Sequence, residues 1–120
     1  MAPALNHVSL TVADRERSAA FYARHFGLTA RVHEDPQRLI LGAPDGALLA
    51  LCEGDVPDLP ADNHFGFRAA GPDEVRSARE AFRAAGVAES EWQDSHGFVR
   101  VQVLDPDGYR VEMFAMVGTE

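Results

Sequence analysis

Two histidines and one glutamate have the residue types and positions that suit a divalent metal site. His7 and His64 hold the same place in two copies of a repeated segment, and Glu112 lies in the last predicted strand. Val111 and Met113 form the apolar side of that strand, so the carboxylate of Glu112 is predicted to face away from the core. Two imidazoles and one carboxylate on rigid strands bind divalent Fe, Mn, Zn or Ni and leave positions open for a ligand. A single histidine on a strand is usually a surface residue, so the hypothesis depends on the matched positions.

The second half of the chain repeats the order of residues found in the first half. Three short matches occur in the same order, and their offsets of 57, 59 and 62 residues grow slowly along the chain. Insertions of a few residues between two copies of one module produce such offsets, whereas chance matches would scatter. The matched segments are 6–10 with 63–67, 26–28 with 85–87, and 44–46 with 106–108.

Each half is predicted to form one strand, one helix and then three strands. Alternation of polar and apolar residues marks the strands, and Asp14 and Gly27 mark the two ends of the first helix. The predicted fold class is therefore α+β, with two βαβββ modules, 1–56 and 60–120, in a single domain with a linker at about 53–62. The predicted strands are 5–12, 30–34, 38–42, 47–52, 63–69, 89–94, 98–104 and 110–116, and the predicted helices run from Asp14 to Phe26 and from Pro72 or Asp73 to Gly86.

The composition limits the classes of function. The chain has 120 residues, 11 arginines and no lysine, 19 acidic residues and a formal net charge of −8. A charge of this sign repels phosphate backbones, so we expect no nucleic-acid partner. No apolar run is long enough for a membrane span, we expect no secretory signal, and the single cysteine, Cys52, excludes an internal disulfide. We therefore expect a protein of the cytoplasm.

Three segments, 5–14, 20–28 and 105–112, carry a resemblance to a known family that extends over nearly the whole chain. The sequence resembles the vicinal oxygen chelate superfamily, which contains glyoxalase I, extradiol dioxygenases, fosfomycin-resistance transferases and bleomycin-resistance proteins. The resemblance implies that the paired modules curve into a cup of mixed sheet, usually in a dimer. It also implies that a metal in the cup chelates two neighbouring oxygens of a substrate, with the two repeated histidines and Glu112 as its ligands.

A ligand pocket is predicted around the proposed metal, because residues two apart in a strand share a face. An arginine on this face binds an anionic substrate oxygen or pairs with acids at the rim, and both interpretations stay open. Trp92 either stacks on a flat ligand or packs normally, and His96 either leans over the pocket or faces solvent. The predicted pocket residues are Ser9, Arg68, Trp92, His96, Phe98, Arg100, Gln102, Arg110 and Phe114.

Three positions depart from particular members of the superfamily. Ala50 stands where the first module would mirror Glu112, so the fourth ligand of glyoxalase I is missing. Gln102 stands where extradiol dioxygenases and the fosfomycin enzymes carry a tyrosine, and His96 is one residue too close to match a histidine of the dioxygenases. Bleomycin-resistance proteins are acidic dimers that bind a cationic drug without metal, and the net charge of −8 would also suit that role.

Two functional hypotheses follow from these observations. The first is a small metalloenzyme in which a divalent metal polarises a substrate with two adjacent oxygens, and its reaction type (dioxygenase, lyase, isomerase or transferase) stays open. The second is a metal-free protein of the bleomycin-resistance type that sequesters an antibiotic. A structural dimer module without a ligand is a third, weaker alternative. Exposed strand edges predict a homodimer in each case.

Overall fold

The computed structural model describes residues 2–117. The chain divides into two compact units, Met1–Asp58 and Leu59–Glu120, and the division falls inside the predicted linker. Each unit holds one helix and a four-stranded mixed sheet, which confirms the predicted α+β class and the two βαβββ modules. Within residues 2–117, no helix is long and apolar enough to cross a membrane.

The first unit consists of β1 (His7–Val12), α1 (Arg15–Phe26), β2 (Ala30–Glu34), β3 (Arg38–Gly42) and β4 (Leu48–Glu53). Its sheet has the strand order β1-β4-β3-β2, in which β1 is parallel to β4 and the other neighbours are antiparallel. Helix α1 packs against β3 and β4. The core between helix and sheet is made of large apolar side chains, Leu10, Val12, Tyr22, Leu28, Leu39, Leu41, Leu49 and Leu51.

The second unit repeats this plan with β5 (His64–Arg68), α2 (Pro72–Ala84), β6 (Glu89–Asp94), β7 (Phe98–Leu104) and β8 (Arg110–Met116). Its strand order is β5-β8-β7-β6, again with one parallel pair, β5 with β8. Helix α2 packs against β7 and β8. Its core is rich in valine and consists of Val75, Phe82, Val99, Val101, Val103, Val111 and Met113.

Most predicted element boundaries lie within two residues of the observed ones. Strand β1 begins at His7 and not at residue 5, because its pairing with β4 begins with His7 and Leu48. Leu5 lies before this pairing and is 97% exposed. Strand β5 is also shorter than predicted, since its register with β8 covers only the residues from His64 to Arg68.

Helix α1 has the two caps that the sequence predicts. The side chain of Asp14 accepts hydrogen bonds from the backbone N–H groups of Glu16 and Arg17, at 3.0 and 3.2 Å. These are two of the N–H groups that the first turn of a helix leaves without a partner. Gly27 ends the helix with φ of 72°, a left-handed conformation that favours glycine.

Replacing the N-cap of α1 should destabilise the first unit. In Asp14→Ala both side-chain hydrogen bonds are lost, and we expect the free energy of unfolding to fall by about 1 kcal/mol. Asp14→Ser is the matched control, because serine caps helices about as well as aspartate does. Urea unfolding followed by circular dichroism measures both variants, and an equal loss in the serine variant would contradict the capping role.

Candidate functional site

The register of the second sheet places Glu112 in the centre of that sheet. Strand β8 lies between β5 and β7, and Glu112 pairs with Gly66 on one side and with Gln102 on the other. Val111 and Met113 are buried in the core, on the face that α2 covers. Successive side chains of a strand point to opposite faces, so Glu112 lies on the face opposite α2.

Gly66 gives Glu112 room on this face. A Cβ atom added at Gly66 would lie 3.3 Å from the backbone oxygen of Glu112 and 3.4 Å from its Cβ, which is tighter than most such contacts. In the first unit the corresponding pair is Ser9 with Ala50, so that unit presents no carboxylate at this place. The hydroxyl of Ser9 lies 3.6 Å from Sγ of Cys52 within the first unit.

His64 and Glu112 lie close enough together to contact one metal ion. Nε2 of His64 lies 3.9 Å from Oε1 of Glu112, and Nδ1 lies 3.1 Å from the backbone oxygen of Asp62. A carbonyl oxygen only accepts hydrogen bonds, so Nδ1–H is the donor and Nε2 of the neutral ring keeps its lone pair. Two atoms that each lie about 2.1 Å from one ion are at most about 4.2 Å apart. The observed distance meets this condition.

His7 has the same hydrogen-bonding pattern in the first unit. Its Nδ1 lies 3.2 Å from the side-chain oxygen of Asn6, which leaves Nε2 for a ligand. His7 is exposed at the start of β1, whereas His64 and Glu112 belong to the second unit. Among the described residues of either unit, no group of three or more His, Cys, Asp and Glu side chains is arranged to hold a metal. The complete triad therefore stays a prediction.

Arg100 connects the carboxylates on this face of the second sheet. Its Nη1 donates to Oε1 of Glu112 at 2.9 Å, and its Nη2 donates to Oε1 of Glu91 at 2.8 Å. The side chains of Arg100 and Glu112 are 20% and 13% exposed, so this pair is partly shielded from water. Arg100 thus holds Glu112 in place and supplies a positive charge to it.

The charges on this face act on one another. The hydrogen bond from Arg100 is the main reason that the pKa of Glu91 lies below its ordinary value, and the charges of Arg100 and Arg110 lower it further. The pKa of Arg100 is raised by its hydrogen bonds to Glu91 and to Glu112. Both shifts have the sign expected when opposite charges stabilise each other.

Gln102 has a buried amide group with an unused donor. Its side chain is on the face of Glu112, the residue is 1% exposed, and its Oε1 accepts a hydrogen bond from Ser90 Oγ at 3.0 Å. Among the described residues, Nε2 of Gln102 has no hydrogen-bond partner. A buried donor without a partner costs about 1–3 kcal/mol. A ligand oxygen or a water that reaches this nitrogen would recover that energy.

The register also brings three other predicted pocket residues to this face. Arg110 and Phe114 lie two residues before and after Glu112 in β8, and Arg68 pairs with Phe114 from β5. The alternation of β7 adds Phe98, which shares a face with the two pocket residues that follow it in the strand. These side chains are the described surroundings of Glu112.

Two residues predicted for the pocket lie on the side of the sheet that α2 covers. Trp92 pairs with Val101, a core residue, and the guanidinium carbon of Arg79 lies 4.2 Å from the centre of the indole ring. Trp92 therefore packs under an arginine of α2. It does not lie on the face of Glu112, where the sequence analysis predicted it. His96 is exposed in the turn between β6 and β7, where it lines a shallow depression together with Pro72, Arg76, Asp94, Ser95 and Val117.

Glu91 belongs to the site, although the sequence analysis did not select it. A register shift between Glu89 and Glu91 changes the alternation of β6, so that Glu91 lies opposite Gln102 on the face of Glu112. The sequence signal that could have predicted the position of Glu91 was the apolar residue directly after it, Trp92. An apolar residue turns toward the core, and its neighbour in a strand then faces the other way.

The family of the chain is clear from sequence comparison. Residues 4–113 match the model of the Glyoxalase/Bleomycin resistance protein/Dioxygenase superfamily. The chain belongs to this superfamily, which confirms the resemblance described above.

Individual relatives include proteins with several different activities. The chain is 31% identical over 113 residues to a probable trivalent organoarsenical cleaving enzyme of Bacillus subtilis, with 90% of this chain and 77% of that protein covered. A fosfomycin resistance protein, FosX of Listeria monocytogenes, has a similar structure (TM-score 0.81, 24% identity, 99% of this chain and 96% of that chain). So has a possible glyoxalase of Bacillus cereus (TM-score 0.80, 24% identity, 93% and 98%). A variant of the Listeria protein was solved with Mn(II) and 1S,2S-dihydroxypropylphosphonic acid (TM-score 0.81, 22% identity, 99% and 93%).

Removing Arg100 should raise the pKa of Glu91. In Arg100→Gln the hydrogen bond and the positive charge are lost, so the pKa returns toward the ordinary value of glutamate. The stabilisation that comes from the lowered pKa is present above the unfolded-state pKa and is lost as the pH falls through the folded-state pKa. A ¹³C NMR titration of the side-chain carboxyl groups measures the shift.

Arg76→Gln is the matched control for this titration. Arg76 pairs with Asp94 and Asp73 as Arg100 pairs with its two glutamates, but it lies on α2. In this control the pKa of Asp94 should rise while that of Glu91 stays unchanged. An unchanged pKa of Glu91 in Arg100→Gln would show that the ion pair does not form in solution.

Proposed function

We propose that this protein is a divalent-metal-dependent enzyme that acts on a small molecule with two adjacent oxygens. In this proposal His7, His64 and Glu112 bind Fe, Mn, Zn or Ni, in one chain or between two. The observation that carries the proposal is the pair formed by Nε2 of His64 and Oε1 of Glu112, 3.9 Å apart. Two acceptors that face each other at this distance are stabilised by a cation between them.

When bound, the metal would act as a Lewis acid on the chelated oxygens of the substrate. The chain itself supplies orientation and charge. Arg100 keeps the carboxylate of Glu112 ionised and directed, since it donates to Oε1 at 2.9 Å. Nε2 of Gln102 is a buried donor without a partner among the described residues, and it would bind an oxygen that reached it. These residues would hold the substrate and stabilise negative charge that develops on it.

The comparisons support the class of protein and leave its reaction to experiment. The names of the relatives include a cleaving enzyme, a resistance protein, a lactoylglutathione lyase and an oxidase. One of these proteins was solved with Mn(II), which favours a metal in this chain as well. The shared element among such different activities is the fold and not one substrate.

Metal content tests the proposal directly. Protein purified without chelator or affinity metal, then reconstituted with each metal in turn, should hold close to one metal per chain by elemental analysis. Glu112→Gln and His7→Ala should each lower the metal affinity at least about tenfold, because each removes a ligand and not merely a neighbour of one.

Two variants serve as matched controls for the metal measurement. Glu89→Gln removes a carboxylate that binds Arg79 on the side of α2, and His33→Ala removes another exposed histidine of the first unit. Both should keep the affinity of the unchanged protein. A wild-type protein that takes up no metal under any of these conditions would overturn the proposal, and so would equal losses in the controls.

A second candidate function is a metal-free protein that sequesters an antibiotic. The ion pair of Arg100 with Glu112 favours it, since the carboxylate is neutralised without a metal. The net charge of −8 would suit a cationic drug. Tight binding of a drug without turnover, by a protein that takes up no metal, is the result that would select this candidate.

We further propose that the protein acts as a homodimer in the cytoplasm. Outer strands of four-stranded sheets leave backbone groups without a partner, and a second copy can cover them. Sedimentation at micromolar concentration tests the dimer, and a monomer there would contradict it.

A further inference from the structure

Three arginines share the sheet face that carries Glu112 in the second unit. Arg110 lies two residues before Glu112 in β8, Arg68 belongs to the adjacent strand β5, and Arg100 reaches Glu112 from β7. Neighbouring strands are about 4.8 Å apart and two residues along a strand span about 7 Å. The Cα atom of each arginine therefore lies within roughly 10 Å of the Cα atom of Glu112. This concentration of positive charge occurs in a chain whose net charge is −8.

Positive charge exceeds negative charge on this face. Among the strand residues that share it, the three arginines face two carboxylates, Glu91 and Glu112, and both of these bind Arg100. Within the described residues 2–117, Arg68 and Arg110 form no ion pair. Arg68 and Arg110 therefore have no ion-pair partner of their own among these residues, although the charge of Arg110 acts on Glu91 from a longer distance.

Two arginines on the side of this unit that carries α2 do have carboxylate partners. Arg76 binds both Asp73 and Asp94, and Arg79 binds Glu89 through two hydrogen bonds. These arginines meet carboxylates of their own unit at 2.7 to 3.1 Å. Among residues 2–117, Arg68 and Arg110 have no such partner, and neither does Arg83 of α2.

A buried amide on the same face adds an independent observation. Nε2 of Gln102 is a hydrogen-bond donor that finds no partner among the described residues, and the residue is 1% exposed. Guanidinium and amide N–H groups all donate, and none of them accepts. The chemical partner that satisfies such a set is a group with several acceptor oxygens and a negative charge.

We propose that this face binds an anionic oxygen group of the substrate, such as a carboxylate or a phosphonate, through Arg68, Arg100 and Arg110. The inference rests on the proposed function and names its substrate class. Arg100 would keep Glu91 as a partner, and its planar guanidinium group would share its remaining donors between Glu112 and the anion. Selection for a charged substrate follows, because a neutral analogue would leave these donors unsatisfied.

Titration with methylphosphonate and with its uncharged dimethyl ester tests this inference. The full chain is titrated in the presence of EDTA and again after reconstitution with Zn, and binding is followed by calorimetry and by the ¹⁵N–¹H signals of the arginine side chains. We expect the anion to bind and the ester to bind at least about tenfold more weakly. Arg68→Gln and Arg110→Gln should each weaken anion binding about tenfold, since each removes a charged donor.

Arg76→Gln is the matched control, because Arg76 carries two ion pairs on α2 and should leave anion binding unchanged. Equal binding of the anion and the ester would overturn the inference. Anion binding that does not change in Arg68→Gln and Arg110→Gln would also overturn it, whatever the metal content.

The two proposals fail in different ways. If the protein takes up metal through Glu112 but the arginine variants bind the anion normally, the substrate class is wrong and the metalloenzyme proposal stands. If the protein takes up no metal and the anion still binds through the arginines in EDTA, the metalloenzyme proposal is wrong and the recognition of an anion stands.

Discussion

The alternation of β8 is the constraint on which the candidate site depends. Val111 and Met113 are buried on the side of α2, and this burial fixes the orientation of the whole strand. A shift of the register by one residue would put a carboxylate into the core and two apolar side chains on the opposite face. Hydrophobic burial of a few side chains therefore determines where Glu112 can act.

The charges around Glu112 show a second level of organisation. Arg100 spans from β6 to β8 and holds Glu91 and Glu112 with one guanidinium group. Partly buried pairs of this kind gain more from hydrogen-bond geometry than exposed pairs do. Arg100 thus both positions the carboxylate of Glu112 and keeps it ionised. Gln102, in the strand between β6 and β8, adds a hydrogen-bond donor. The pairing of the strands and the pairing of the charges therefore both place Glu112 next to Arg100.

Much of this structure could be predicted from the sequence, and the exceptions have a physical cause. The internal repeat and the period-two patterns predicted both modules, nearly all strand boundaries and the face of Glu112, because burial leaves a direct trace in the sequence. The position of Trp92 was not predicted, since a register shift in β6 changes which residues share a face, and only the apolar character of Trp92 itself indicates its side of the sheet. The sequence also did not predict which acidic residues bind Arg100, because ion pairs between strands depend on which strands become neighbours.

The difference between the two sheets at one paired position bears on how the modules can diverge. Glu112 stands beside Gly66, while the equivalent place in the first sheet holds Ala50 beside Ser9. Ser9 and Ala50 already pair with a Cβ atom on each strand, so a glutamate at position 50 would need new space only beyond its own Cβ. A carboxylate could therefore enter the first module by one exchange at position 50, without a glycine on the neighbouring strand. The chemical difference between the two copies at this place thus amounts to one side chain and not to a difference in backbone spacing.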